Sequence, residues 1–348
     1  MTTPLFTGSE WDFNMIARSL DECGIIAQEL KLNTYRNQIE VITSEQMLDA
    51  YASVGMPIYY KHWSFGKKFS REQDLYQKGK SGLAYELVIN SNPCINYLME
   101  ANTACVQTLV IAHAAYGHNH FFKNNYLYKQ WTDAEGIVDY LVFARNYVNE
   151  CEEKYGIDRV EATLDAAHAL MVHGVDRYKR PRKLSLAKEQ ERQKDRIAYL
   201  EKNVNDLWRT LPKSNKTKEV KLERFPKDPE ENLLYFLEKN SPILETWQRE
   251  LLRIVRKIAQ YFYPQYQTKV MNEGWASFCH YYIMNRLYDK SLLTEGAMLE
   301  FIKLHTGVLY QPSYNSRYYS GFNPYYLGFE IFNDIKRICT EPSEEDLE

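Results

Sequence analysis

The sequence predicts a mainly α-helical protein: one large helical domain with a small β element. Apolar side chains recur at helical spacing through most of the 348 residues. Only one stretch, Gly82 to Ile89, alternates as a strand does, and Asn-Ser-Asn-Pro follows it as a stop. No repeat at a fixed period divides the chain, so residues 1–348 read as a single domain with a charged arm at about 179–230.

The elements follow in order. Phe13, Ile16, Leu20, Cys23, Ile26 and Leu30 mark an amphipathic helix within residues 9–32. A shorter helix surrounds Glu45 to Tyr51, with Ser44 as its expected N-cap and Met56-Pro57 as its break. Residues 57–72 are aromatic and basic with no clear period. A long apolar helix is expected from about Cys94 to His113, with Gly117 and Asn119 punctuating its end. Residues 132–154 and 158–173 read as two more helices, with Asp133 and Asp158 near their starts, where a carboxylate suits the helix dipole. The arm contains an expected exposed helix at about 185–208, read as a solvated face or as a partner-binding arm. Helices resume at about 230–262 and 268–289. The last part, 296–339, holds a helix, the tyrosine-rich loop Tyr310 to Tyr326, and a final helix. The acidic run Glu341 to Glu348 reads as a solvated tail or a linker.

Composition narrows the function classes. Hydrophobic residues make up 45% and charged residues 26%, the balance of a folded globular chain. The net charge of -3 gives no general affinity for nucleic acid or membranes. The six cysteines are widely spaced with no CxxC pair, which fits reduced, mostly buried thiols. The absence of a signal-like N-terminus and of an 18-residue apolar run makes a cytoplasmic location the expectation. The 28 tyrosines imply many amphipathic rings at core and cleft edges.

Four constellations could carry chemistry. The first is His113, His118 and His120, three histidines within eight positions, a residue type that commonly ligates zinc and iron. Residues i and i+5 lie about 140° apart on a straight α-helix, so His113 and His118 share a face only through a π-type turn or a helix end at Gly117. Ala114 stands where zinc proteases carry a glutamate between ligands. The alternative is a core histidine followed by two capping ones. The second is Glu273 with His280, seven apart on one helical face among apolar neighbours. A carboxylate there is costly unless paired, hydrogen-bonded or bound to a cation. Asn-Glu-Gly-Trp-Ala, 272–276, also resembles the third-ligand helix of some zincin-like peptidases, so a zincin-like helical metal core is an expectation. The third is His168 and His173, with Asp176 and Arg177 as possible hydrogen-bond partners; a helix end capped by Gly174 is the plainer reading. The fourth is the aromatic-basic stretch around His62, which together with Tyr314, Arg317, Tyr318, Tyr319 and Tyr325 could line a cleft or simply pack. No P-loop, dinucleotide fingerprint, serine nucleophile elbow or EF-hand loop occurs.

The residues admit three readings. In a metal-dependent hydrolase of an amide bond, His113, His118 and Glu273 would be ligands, with His280 as a fourth ligand or an orienting group. Zinc is the expected divalent metal, Glu86 and Glu100 are the candidate bases, and Tyr116 would stabilise an oxyanion. A non-haem iron enzyme would use the same two histidines and carboxylate. In a scaffold the histidines would be structural and the charged arm would contact a partner.

The segments VITSEQMLDAYASVGMPIYYKHWSFGKKF (41–69), GLAYELVINSNPCINYLME (82–100), AHAAYGHNHFFKNNYL (112–127), HGVDRYKRP (173–181) and MNEGWASFCHYYI (271–283) resemble the SpoVR (stage V sporulation protein R) family. The likeness runs from about residue 9 to 346. It implies a link to sporulation, spore cortex formation or stress response. It also implies a PrkA-type serine kinase and its associated small protein as partners. Family members are longer at the C-terminus, so a further C-terminal domain is expected to be missing here.

Overall fold

A computed structural model describes residues 3–53, 56, 58–78, 86–178, 191, 194–195 and 231–347. The chain is mostly helical with one three-stranded sheet. Helix α1 (Phe13–Glu29) begins where the Asp12 side chain accepts from the Met15 N–H at 2.7 Å, a cap worth about 1 kcal/mol. Strand β1 (Asn37–Ile42) leads into α2 (Ser44–Ala52). The N-cap of α2 is Thr43, one residue before the expected Ser44, because Thr43 and Gln46 form a reciprocal capping box. Part of the stretch 57–72, which showed no clear period, lies in α3 (Trp63–Gln77). It buries no residue completely, so it carries no continuous apolar stripe. Strand β2 (Glu86–Ile89) occupies the described part of the expected strand; residues 82–85 lie outside the described residues.

The main departure is at Cys94. Residues Cys94–Met99 form β3, not the start of a helix. It is the central strand, parallel to β1 and antiparallel to β2. A central strand buried on both faces reads as a continuous apolar run, which periodicity cannot tell from a buried helix. The helix begins instead at α4 (Ala104–Val110), capped by Thr103. It passes without a break through a π-helical segment, Ile111–His118, into α5 (Asn119–Asn124), so Gly117 and Asn119 do not end it.

Next come α6 (Tyr126–Trp131), α7 (Ile137–Tyr155), α8 (Ile157–Ala169) and a 3-10 turn at Met171–His173. The helix expected at 185–208 lies almost wholly outside the described residues. The remaining elements are α9 (Leu233–Asn240), α10 (Thr246–Gln267), α11 (Lys269–Asp289), α12 (Glu295–Val308), α13 (Pro324–Thr340) and the short turn α14 (Glu344–Leu347). The acidic end is thus partly ordered: Asp346 binds Arg337 at 2.7 Å.

Two apolar clusters flank the sheet. One joins α1, α4, the π segment, α11 and α12; the other joins α7, α8 and α10. Both receive residues of β3: Leu98 in the first and Ile95 in the second. All six thiols are free, five of them buried. Among the described residues no helix is long and apolar enough to cross a membrane.

Candidate metal centre

The π segment sets the geometry. Its i→i+5 hydrogen bonds stack residues five apart one above the other, so His113 and His118 face the same way, with ring centroids 4.7 Å apart. Glycine then allows the neighbouring backbones to come close. A Cβ on Gly117 would stand 2.7 Å from the Cα of Ala276 in α11, and a Cβ on Gly274 would collide with the backbone of Gly328 in α13. These two crossings set Glu273 against His118 and Tyr325 beside both. The third wall is β2, which packs on the π segment and brings Glu86.

Glu86, His113 and His118 each offer a ligand atom, all within 4.8 Å of one another. His113 Nε2 stands 3.4 Å from Glu86 Oε1, and His118 Nε2 stands 3.5 Å from Glu273 Oε2. Both separations exceed the usual N–H···O length of about 2.9 Å. They match the spacing of roughly 3.3–3.6 Å between ligands placed about 2.0–2.2 Å from one tetrahedral ion.

The far side of each ring is tied down. His118 Nδ1 lies 3.0 Å from Asn272 Oδ1, which requires Nδ1 to donate and leaves Nε2 as an acceptor. His113 Nδ1 meets His280 Nδ1 at 2.8 Å, and His280 Nε2 meets His305 Nδ1 at 2.7 Å. Burial, with the neighbouring imidazoles, pushes His113 and His280 well below the usual histidine range, and burial holds His305 to about 4. The chain is therefore neutral, with one proton shared at each contact. Such a chain can run in either direction, and the one from His113 through His280 to His305 frees His113 Nε2 for a ligand.

Glu86 shows why this donor set suits a cation. Its Oε2 is buried without a hydrogen-bond partner. Burial, then the Glu273 charge, raises its carboxyl well above the carboxylate range. Glu238, also buried, is the contrast. Burial raises it too, but Lys239, Arg256 and Arg253 outweigh this and hold its carboxyl below the usual value. No such cation faces Glu86 among the described residues. A divalent ion fits this donor set. Burial, then Glu273 and Glu86, also raises the Tyr325 phenol, which stays protonated. A cavity of about 420 Å³ opens onto Glu86, His118, Glu273 and Tyr325, with Gln265 and Lys269 at its wall.

The other expected site residues sit elsewhere. His280 lies behind His113 with both ring nitrogens engaged by histidines. Tyr116 donates to Leu20 O at 2.6 Å, against α1. Glu100 is exposed just after β3, its N–H bonded to Ile42 O. His120 accepts from the Asn33 N–H and lies beside Trp275. His168 bonds Tyr60, and His62 bonds Asp165. His173 is exposed, Asp176 exchanges backbone hydrogen bonds with the Gln260 side chain, and Arg177 pairs with Glu231. Tyr325 comes to the centre, while Tyr314 and Tyr318 remain exposed. Sequence reading missed the roles of Asn272 and His305. A signal existed for Asn272, adjacent to Glu273; a lone histidine on an amphipathic helix gave none for His305.

Comparison with known proteins agrees with the motifs. A family model described as "SpoVR like protein" matches residues 10–348. A protein of Escherichia coli (strain K12), named "Uncharacterized protein YcgB", is 63% identical over 346 residues, covering 99% of this chain and 68% of its own length. No solved structure matches. The chain belongs to the SpoVR family.

Proposed function

We propose that this protein is a divalent-metal-dependent hydrolase of an amide bond in a peptide or peptidoglycan-like substrate, with Glu86, His113 and His118 as the ligands. The observation that carries this reading is the convergence of Glu86, His113 and His118, whose ligand atoms lie within 4.8 Å of one another, with His113 Nε2 3.4 Å from Glu86 Oε1. Three protein ligands leave a position open toward the cavity, as in catalytic rather than structural zinc sites. When bound, the ion would polarise a substrate carbonyl and make water more acidic.

The chain's own residues do the rest. Glu273, at the cavity and outside the three-ligand group, takes a proton from water and returns it to the leaving amine. Tyr325, kept protonated, donates to the developing oxyanion, the part first given to Tyr116. Asn272 and the His280–His305 pair hold the two imidazoles in one tautomer. The likeness to zincin-type centres is therefore one of donor chemistry. Glu86 and Glu273 exchange the roles that spacing alone suggested.

Two histidines and one carboxylate are also the facial set of non-haem iron enzymes, so the metal decides between the two chemistries. The kinase-partner reading rests on the family resemblance and on the arm at 179–230, almost wholly outside the described residues. The test is elemental analysis of the purified protein beside Glu86→Gln and His113→Ala. About one zinc per chain, lost in both folded variants, supports the hydrolase. Iron with oxygen-dependent turnover favours the second chemistry. No metal after reconstitution with either ion sinks both.

A further inference from the structure

A second group of reactive side chains lies outside the metal centre, at the start of α3. His62 is buried and its two ring nitrogens face different partners. Nδ1 stands 2.6 Å from Ser64 Oγ, and Nε2 stands 3.0 Å from Asp165 Oδ1. Asp165 accepts only, so Nε2 donates to it; in the neutral ring Nδ1 then accepts from the Ser64 hydroxyl and, as the N-cap of α3, from the Ser64 N–H at 3.4 Å. The same Asp165 oxygen accepts from Trp63 Nε1 at 2.7 Å, which fixes the carboxylate. This is the protonation pattern a serine nucleophile needs: hydroxyl to base, base to an anchoring carboxylate. The ring nitrogens have exchanged places relative to the common arrangement, but such triads are defined by role and geometry.

Three further features suit the chemistry. His62 lines a cavity of about 610 Å³ with Tyr59, Tyr60 and Phe65, a size that accepts an acyl group; Ser64 is not part of its wall and meets it through the His62 ring, 2.6 Å away. Ser64 is the second residue of the 15-residue α3, so the positive end of a helix dipole lies at the nucleophile. The adjacent His168 ring, 4.4 Å from that of His62, is held by burial to about 4. It stays neutral and does not oppose a positive charge on His62.

We propose that Ser64, His62 and Asp165 form a second, metal-independent hydrolytic centre that cleaves acyl esters, with the acyl group seated against Tyr59, Tyr60 and Phe65. Ser64 Oγ bonds to the carbonyl carbon as its proton passes to His62 Nδ1. The C–O bond to the alcohol breaks, and His62 returns that proton to the leaving oxygen. Water then releases the acid by the same route and restores Ser64. Asp165 keeps His62 in one tautomer and faces the imidazolium.

The experiment is labelling of the intact protein with a fluorophosphonate probe, in chelator, with the adduct mapped by mass spectrometry. Ser64 Oγ would displace fluoride while His62 takes the proton. The expected result is an adduct on Ser64, absent from Ser64→Ala. In His62→Gln the labelling rate should fall at least about 100-fold, the lower range of general-base assistance, and in Asp165→Asn it should fall clearly. Ser64→Ala and Asp165→Asn leave the α3 cap residue in place, and far-ultraviolet circular dichroism checks the fold of each variant. No adduct on the folded protein would overturn the proposal. So would a Ser64 adduct that forms equally fast in folded Asp165→Asn, which would reduce His62 to a helix cap.

Discussion

At the residue scale, two glutamates with buried carboxylate oxygens solve the same electrostatic problem differently. A buried carboxylate without a partner costs several kcal/mol. Glu238 is held by Arg253 and Arg256 at 3.0 and 3.1 Å. Glu86 has a histidine too distant for a good hydrogen bond and an orphaned oxygen. Their neutral amides should therefore behave oppositely. Glu238→Gln should destabilise by roughly 1.5–3 kcal/mol, because the half-buried Arg253 and Arg256 lose a charged hydrogen-bond partner. Glu86→Gln, in chelator at neutral pH, should not destabilise and should add stability. The sign follows from the raised carboxyl of Glu86. The folded state holds its proton above pH 4.5, where the unfolded chain has lost it, so Glu86 lowers stability as pH rises from 4.5. The glutamine variant lacks that slope. Urea unfolding across pH 5–8 checks both changes. A Glu86→Gln variant as destabilised as Glu238→Gln would show that Glu86 is paired.

At the element scale, the site depends on helix crossings that only glycine permits. A Cβ on Gly328 would run into the Val270 carbonyl and stand 2.6 Å from Gly274 Cα. Gly328→Ala must push α13 away from α11, at a cost of roughly 1–3 kcal/mol. Glu273 adjoins Gly274 and Tyr325 lies three residues before Gly328, so turnover should fall more than stability accounts for. Calorimetry beside amide-hydrolysis assays measures both, and wild-type turnover would refute this dependence. Much of this scale was legible in sequence. The apolar period marked α1, α10 and α11, and the seven-residue spacing of Glu273 and His280 put both on one helical face, which in the structure meets His118 and His113. The five-residue gap between His113 and His118 already demanded a π turn or a break, and the structure has the turn. Strands β1 and β3 were not legible. Their pairing joins Asn37–Ile42 to Cys94–Met99 across more than fifty residues, which no local pattern records. Nor could spacing choose between Glu86 and Glu273 as ligand: the strand of Glu86 was legible, but not the partner strands that fix its place.

At the scale of the whole molecule, the centre gathers residues that are far apart in the chain. Glu86 comes from β2, His113 and His118 from the π segment, Glu273 from α11, His305 from α12 and Tyr325 from α13. It lies where β2 meets the π segment, beside a sheet whose central strand feeds both apolar clusters. An unfolded chain cannot assemble such a donor set, so an ion binds the folded state almost exclusively, and its binding energy becomes folding energy. At a free zinc concentration 100 times the dissociation constant, the gain is about 2.7 kcal/mol. For a chain of this size that corresponds to a rise in Tm of roughly 4 °C. Chelator should reverse the rise. Glu86→Gln should show none of it, because one of three ligands is gone while the fold is intact. Differential scanning calorimetry with a zinc series on both proteins distinguishes this from surface binding. An equal rise in wild type and variant would place the ion elsewhere. A rise confined to wild type would tie the metal to the junction on which both halves of the core depend.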